Sequence, residues 1–145
     1  MSGIWFDMDG TIADLYGVAG WLEDIRNGNT RPYEQAKGIG NLAHIARLLN
    51  KVQAKGYTIN VITWTAKSGT DEYNAKVATA KREWLARHLP AVKWDAVKVV
   101  KYGTNKKTAT AGAILFDDEE KNRTEWGAGA YEPADIVRVL KELTR

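Results

Sequence analysis

Four aspartates close two short apolar runs near opposite ends of the 145-residue chain. GIWFDM carries Asp7 and is followed by Asp9, and AILFDD ends on Asp117 and Asp118. If both runs are strands of one mainly parallel sheet, their carboxyl ends share an edge, where such sheets bind ligands. Carboxylates packed there without a counter-charge repel one another and resist ionisation. A hard divalent cation resolves the conflict. Mg²⁺ is its natural identity, because it is held by one or two carboxylates together with waters and substrate phosphate. Zinc is poorly served by a chain with no cysteine and two histidines.

A carboxylate such as Asp7 can attack phosphorus and form an acyl phosphate, provided a metal screens it from the anionic substrate. A second acid two residues on, Asp9, can protonate the leaving oxygen and then activate water. The phosphoryl oxygens also need donors or positive charge around them. Thr63 offers a hydroxyl at the end of the run YTINVIT. The loop amides at Gly10 and Thr11 offer N–H groups, and Lys106 or Lys107, just before AILFDD, offers the cation. Trp64 follows Thr63 at the mouth of this edge, where a ring can stack on a base or a sugar or simply pack. Other polar residues read more plainly. Glu119 and Glu120 suit a helix N-terminus, His88 suits the last turn of a helix, and Asp14 suits a helix cap.

The elements that must position these groups follow from periodicity. Residues 3–8 read as a buried strand, and DGTIAD as a loop. LYGVAGWLEDIR, residues 15–26, has helical spacing, and NGNTRP is a turn cluster. A second helix is expected from Ile39 to Lys55, with Leu42, Ile45, Leu48, Leu49 and Val52 on its apolar face and Gly56 as its stop. Residues 57–63 form the next strand. Asp71 caps a helix carrying Val77, Trp84 and Leu85 that stops at Pro90. Strands follow at 96–100 and at AILFDD, joined by the polar connection KYGTNKKTATAG, and a short one near 128–131 precedes a last helix opened by Glu132 and Pro133. Strands alternating with helices predict an α/β domain around a mainly parallel sheet. The whole chain, 1–145, is expected to be one domain, with a small helical insert around 15–56.

The motifs resemble those of the haloacid dehalogenase-like (HAD) superfamily. IWFDMDGT is similar to its first motif, VIT to its second, a lysine before the last strand to its third, and ILFDD to its fourth, all in order. Within it, DMDGTIADL and KTATAGAILFDD resemble segments of the 5′(3′)-deoxyribonucleotidases. The resemblance implies a Rossmann-like fold and a Mg²⁺-dependent phosphatase with Asp7 as nucleophile and metal ligand. It makes Asp9 the general acid and base, with its backbone carbonyl toward the metal. It selects Thr63 and Lys107 as phosphate holders and Asp117 and Asp118 as further metal ligands. The capping looks minimal. The substrate implied is a (deoxy)nucleoside monophosphate; a nucleic-acid end is the alternative. A non-catalytic phosphate- or metal-binding module is the rival from another class, and the intact Asp9 argues against it.

Composition agrees with a globular enzyme. Hydrophobic residues make up 44% and charged residues 27%. The net charge is +3, with Lys and Arg scattered among acids, which describes a solvated surface rather than a polyanion-binding tract. No basic segment followed by an apolar run opens the chain, so no secretory leader is expected. Without cysteine, a reducing cytoplasm is the expected compartment. No membrane partner is expected either, since no apolar run approaches the ~18 residues of a membrane span.

Overall fold

The computed structural model describes residues 2–145. Apolar runs too short for helices form the strands. They are β1 (Gly3–Phe6), β4 (Thr58–Trp64), β5 (Ala96–Val100), β6 (Ile114–Phe116) and β7 (Ala130–Tyr131), which build a five-stranded sheet in the order β5-β4-β1-β6-β7. Every pairing in it is parallel, with Phe6 opposite both Val61 and Phe116. A two-residue antiparallel ribbon, β2 (Ala13–Asp14) with β3 (Lys37–Gly38), stands apart from it.

Seven α-helices accompany the strands among the described residues: α1 (Trp21–Arg26), α2 (Arg31–Gln35), α3 (Leu42–Ala54), α4 (Asp71–His88), α5 (Lys106–Thr110), α6 (Glu120–Trp126) and α7 (Ile136–Leu143). Successive strand residues point to opposite faces, and the two faces have separate cores. Phe6, Val61 and Phe116 lie in the larger one, with Leu49 and Val52 of α3, Trp84 and Leu85 of α4, and Val139 and Leu140 of α7. Trp5, Ile62 and Leu115 lie in the smaller one, with Ala109 of α5 and Trp126 of α6. Each large apolar side chain buried there contributes about 1.5–3 kcal/mol.

Several boundaries differ from the periodic pattern, each for a local reason. The stretch 15–26 is broken: a 3-10 turn covers Leu15–Gly17, and α1 starts only after Gly20, whose φ of 74° is left-handed. Asp14 accepts the N–H of Gly17 and caps that turn, as expected. The turn cluster NGNTRP ends inside a helix, because Pro32 is placed near the start of α2, where a missing N–H costs nothing. Asn41 caps α3 through the N–H of His44, so that helix begins later than Ile39. Thr70, not Asp71, caps α4 by accepting the N–H of Tyr73. The polar connection 101–112 contains α5, capped by Asn105 through the N–H of Thr108.

The insert is also shorter than 15–56, because α3 packs in the main core. The chain leaves the body at β2 and returns at β3. What lies between, α1 and α2, rests on the first half of α4 through Leu15, Tyr33, Tyr73, Val77 and Ala80.

Candidate active site

Alternation along the strands decides which groups meet. Asp7 has the parity of Trp5, and Asp117 that of Leu115, so both emerge on the side of the smaller core, just past the strand ends. Lys106, the first residue of α5 on that side, lies between them. It donates to Asp7 Oδ1 at 2.9 Å and to Asp117 Oδ2 at 2.6 Å, with 3% of its surface exposed. Burial works against its charge, but the charges of Asp7 and Asp117 outweigh this and hold its pKa above the usual lysine value. Thr11 donates to the other oxygen of Asp7 at 3.2 Å. Asp117 is fully enclosed and accepts further bonds from Asn122 at 3.1 Å and from the N–H of Glu119 at 2.9 Å.

Asp118 completes the cluster. One carboxylate oxygen from each of Asp7, Asp117 and Asp118 lies within 4.8 Å of the others. Lys106 supplies a single positive charge against three acids. Burial, the charge of Asp7 and a hydrogen bond with it push the Asp118 pKa from 3.8 up to about 8. Burial and Asp7 raise the pKa of Asp117 as well, against the opposing pull of Lys106. The donor set, all oxygen and short of positive charge, fits a hard divalent cation. Gly10 makes the crowding possible: its φ is 81°, and a Cβ there would fall on the Asp118 carboxylate.

Four expected groups, Lys107, Thr63 and the amides of Gly10 and Thr11, stand differently from the sequence reading. Lys107, the lysine selected by resemblance, faces away: it donates to the carbonyl of Gly112 at 2.7 Å and lies over the ring of Trp126. Lys106 is the one that turns toward the acids, since neighbouring residues on a helix point about 100° apart. Thr63 shares the parity of Val61, not Ile62. It is fully buried, and its hydroxyl accepts a bond from Lys81 at 2.6 Å on the other sheet face. Thr65, two residues on, lines the cavity instead. The amides of Gly10 and Thr11 already donate to Ala13 O and Met8 O. The Thr11 hydroxyl holds Asp7, while its N–H is paired within the loop. The Asp9 side chain stands outside the acidic trio and pairs with Lys81 at 2.9 Å. Lys81 itself was not anticipated, although it sits four residues after Val77, on the apolar stripe of α4.

Beside the acids opens a cavity of about 620 Å³, lined by Asp7, Asp9, Lys106 and Asp118 on one side and by residues of the insert on the other. Its walls are rich in aromatic rings. Tyr16 and Trp21 meet edge to face at 5.0 Å, and Trp64 and Tyr102 tilt together at 4.8 Å. The Trp64 ring is fixed: its Nε1 donates to Thr104 O at 3.0 Å, and Lys106 Nζ lies 5.2 Å from its centre. Burial and the charge of Asp9 raise the Tyr16 and Tyr33 pKa values far above normal, so both phenols keep their protons.

No protein-family model matches the chain, and no curated protein is detectably similar in sequence. Solved structures are similar. The D,D-heptose 1,7-bisphosphate phosphatase of Burkholderia thailandensis aligns with a TM-score of 0.57 and 12% identity, over 97% of this chain and 99% of that one. The same enzyme from B. bronchiseptica, complexed with magnesium and phosphate, aligns at 0.61 and 15%, over 99% and 98%. At such identity the likeness establishes the fold: the chain has the α/β architecture of these phosphatase structures. Among the described residues, no helix is long and apolar enough to cross a membrane.

Proposed function

We propose that the chain is a magnesium-dependent phosphate monoesterase acting through an aspartyl phosphate on Asp7, with a nucleoside monophosphate, foremost a deoxy one, as substrate. The observation that carries the reaction class is the buried Lys106 bridging Asp7 and Asp117 beside Asp118. Asp7, Asp117 and Asp118 would hold the Mg²⁺, together with the backbone carbonyl of Asp9. When bound, the ion supplies charge that lets an anionic phosphate approach an anionic nucleophile.

The chain's own residues do the rest. Thr11 and Lys106 each hold one oxygen of Asp7 and so fix the direction of attack. A carboxylate oxygen of Asp7 bonds to phosphorus while the bond to the leaving oxygen breaks, and Asp9 delivers its proton to that oxygen. Water then bonds to phosphorus, gives its proton to Asp9 and releases Asp7 and inorganic phosphate. Lys106 and Thr65 face the phosphoryl oxygens.

Support for the nucleotide comes from the cavity. Its volume is that of a small-molecule site, and Trp21, Trp64 and Tyr102 offer faces on which a base can stack. The related structures are sugar-bisphosphate phosphatases by name, so sugar phosphates belong in the same test. That test measures phosphate release from deoxynucleoside 5′- and 3′-monophosphates, sugar phosphates and phosphorylated oligonucleotides, with and without EDTA and with Asp7→Asn. Mononucleotides should show the highest kcat/KM, and chelation and Asp7→Asn should each abolish turnover. Turnover surviving both would overturn the reaction class. A preference for oligonucleotides that falls steeply with salt would move the substrate to nucleic-acid ends.

A further inference from the structure

Lys81 is a buried cation that the reaction as described does not use. It comes from the middle of α4, and 1% of its surface is exposed. Its ammonium has three protons and all are engaged, with Asp9 Oδ2 at 2.9 Å, Thr63 Oγ1 at 2.6 Å and Trp64 O at 2.7 Å. The ring of Tyr33, from the insert, covers it at 5.3 Å. One turn further along α4, Trp84 donates to Ala36 O at 2.7 Å and pins the helix to the base of the insert.

Burying an ammonium is costly, and an apolar side chain of the same length would fill this space at less cost. A second buried acid is not what it neutralises, since its one charged partner, Asp9, lines the cavity. No proton of Lys81 remains for a substrate. What it does is hold one oxygen of Asp9, while the other accepts no hydrogen bond among the described residues. General acid catalysis needs that free oxygen aimed at the leaving group within a fraction of an ångström.

We propose that Lys81 is a positioning residue that clamps the Asp9 carboxylate from behind, so that its free oxygen faces the leaving group. The clamp also ties Asp9 to the end of β4 through Thr63 and Trp64, linking the acid to the strand that carries Thr65 into the cavity. This inference rests on the phosphatase reading above.

The test uses two substrates that differ in their need for an acid: an alkyl phosphate, whose leaving oxygen must be protonated, and p-nitrophenyl phosphate, whose leaving group departs unaided. Lys81→Met should lower kcat/KM for the alkyl ester about 100-fold or more, the scale of a lost general acid, and for the aryl ester less than about tenfold. Asp9→Asn should show the same split, and the double variant should fall no further than the worse single one. Mg²⁺ affinity by calorimetry should match the parent, because Lys81 bonds Asp9 only through its side chain, whereas its backbone carbonyl is the group proposed for the ion, and bonds none of the other three acids.

The chain has no cysteine, so Lys81→Cys carries a single thiol. Alkylated with 2-bromoethylamine while unfolded and then refolded, it regains an ammonium and should recover the alkyl-ester rate. Equal loss on both esters, multiplicative losses in the double variant, changed Mg²⁺ affinity or an Asp9→Asn without the split would each overturn the proposal alone. A parent inert toward both esters would overturn the phosphatase reading and this inference with it.

Discussion

Lys106 and Lys107 are chemically identical neighbours with opposite surroundings. Lys106 sits between two buried carboxylates, and Lys107 lies over a tryptophan ring and bonds a carbonyl. Removing the partner of a buried ion pair leaves a charge stranded in low dielectric, which costs about 3–5 kcal/mol. Losing one partly exposed hydrogen bond costs about 1 kcal/mol. Lys106→Ala should therefore reduce phosphate release at least ~100-fold and lower the melting temperature of the metal-free protein. Lys107→Ala should leave kcat within about twofold, as its single hydrogen bond lies outside the site. Side-by-side kinetics and thermal melts check both, and the opposite ranking would return the phosphate-holding role to Lys107.

At the scale of elements, the insert bounded by β2 and β3 is the roof of the cavity, and α4 is the wall it stands on. α1 contributes Trp21 to that roof, where it packs on Tyr16. Base stacking on an aromatic side chain is worth about 1–3 kcal/mol. Trp21→Ala should thus raise KM for a nucleoside monophosphate about tenfold and leave kcat/KM for p-nitrophenyl phosphate nearly unchanged. Trp64→Ala should behave differently, because that ring packs beside Lys106: both substrates should suffer. Equal KM for parent and Trp21→Ala on the nucleotide would remove α1 from base recognition.

The whole molecule reports the acidic cluster through its stability. Burial and the charge of Asp7 push the Asp118 pKa in the folded chain up to about 8, against 3.8 for an ordinary aspartate. Between those values the folded chain keeps a proton that the unfolded chain has released. This stabilisation is fully present below about pH 4 and is lost as the pH rises through about 8. Asp117 and Glu119 are raised too, first by burial, and act in the same direction. The metal-free protein should accordingly melt at progressively lower temperature from pH 5 to pH 8. Mg²⁺ should stabilise most at the upper end, where no proton competes for the carboxylates. Melts with EDTA and with Mg²⁺ across that range test it, and a metal-free curve that rises with pH would mean that the acids are not crowded as described.

The sequence by itself determined whatever depends on local pattern. Short apolar runs make strands of fixed parity, and the acids that end them must meet at one edge of a parallel sheet. Asp7, Asp9, Asp117 and Asp118 were therefore legible, as was the fold. Parity also carried a signal that went unused: Thr63 alternates with Ile62 and must face the other core, whereas Thr65 lies past the end of β4, where strand alternation no longer decides its direction. Lys81 left a fainter trace, a lysine on an apolar helical stripe. Tertiary structure alone decided the rest. Which lysine turns inward depends on Asn105 capping α5, since each helical residue rotates by about 100°. The pairing of Lys81 with Asp9 joins positions 72 residues apart, and only the packing of α4 against the sheet end brings a buried ammonium to that carboxylate.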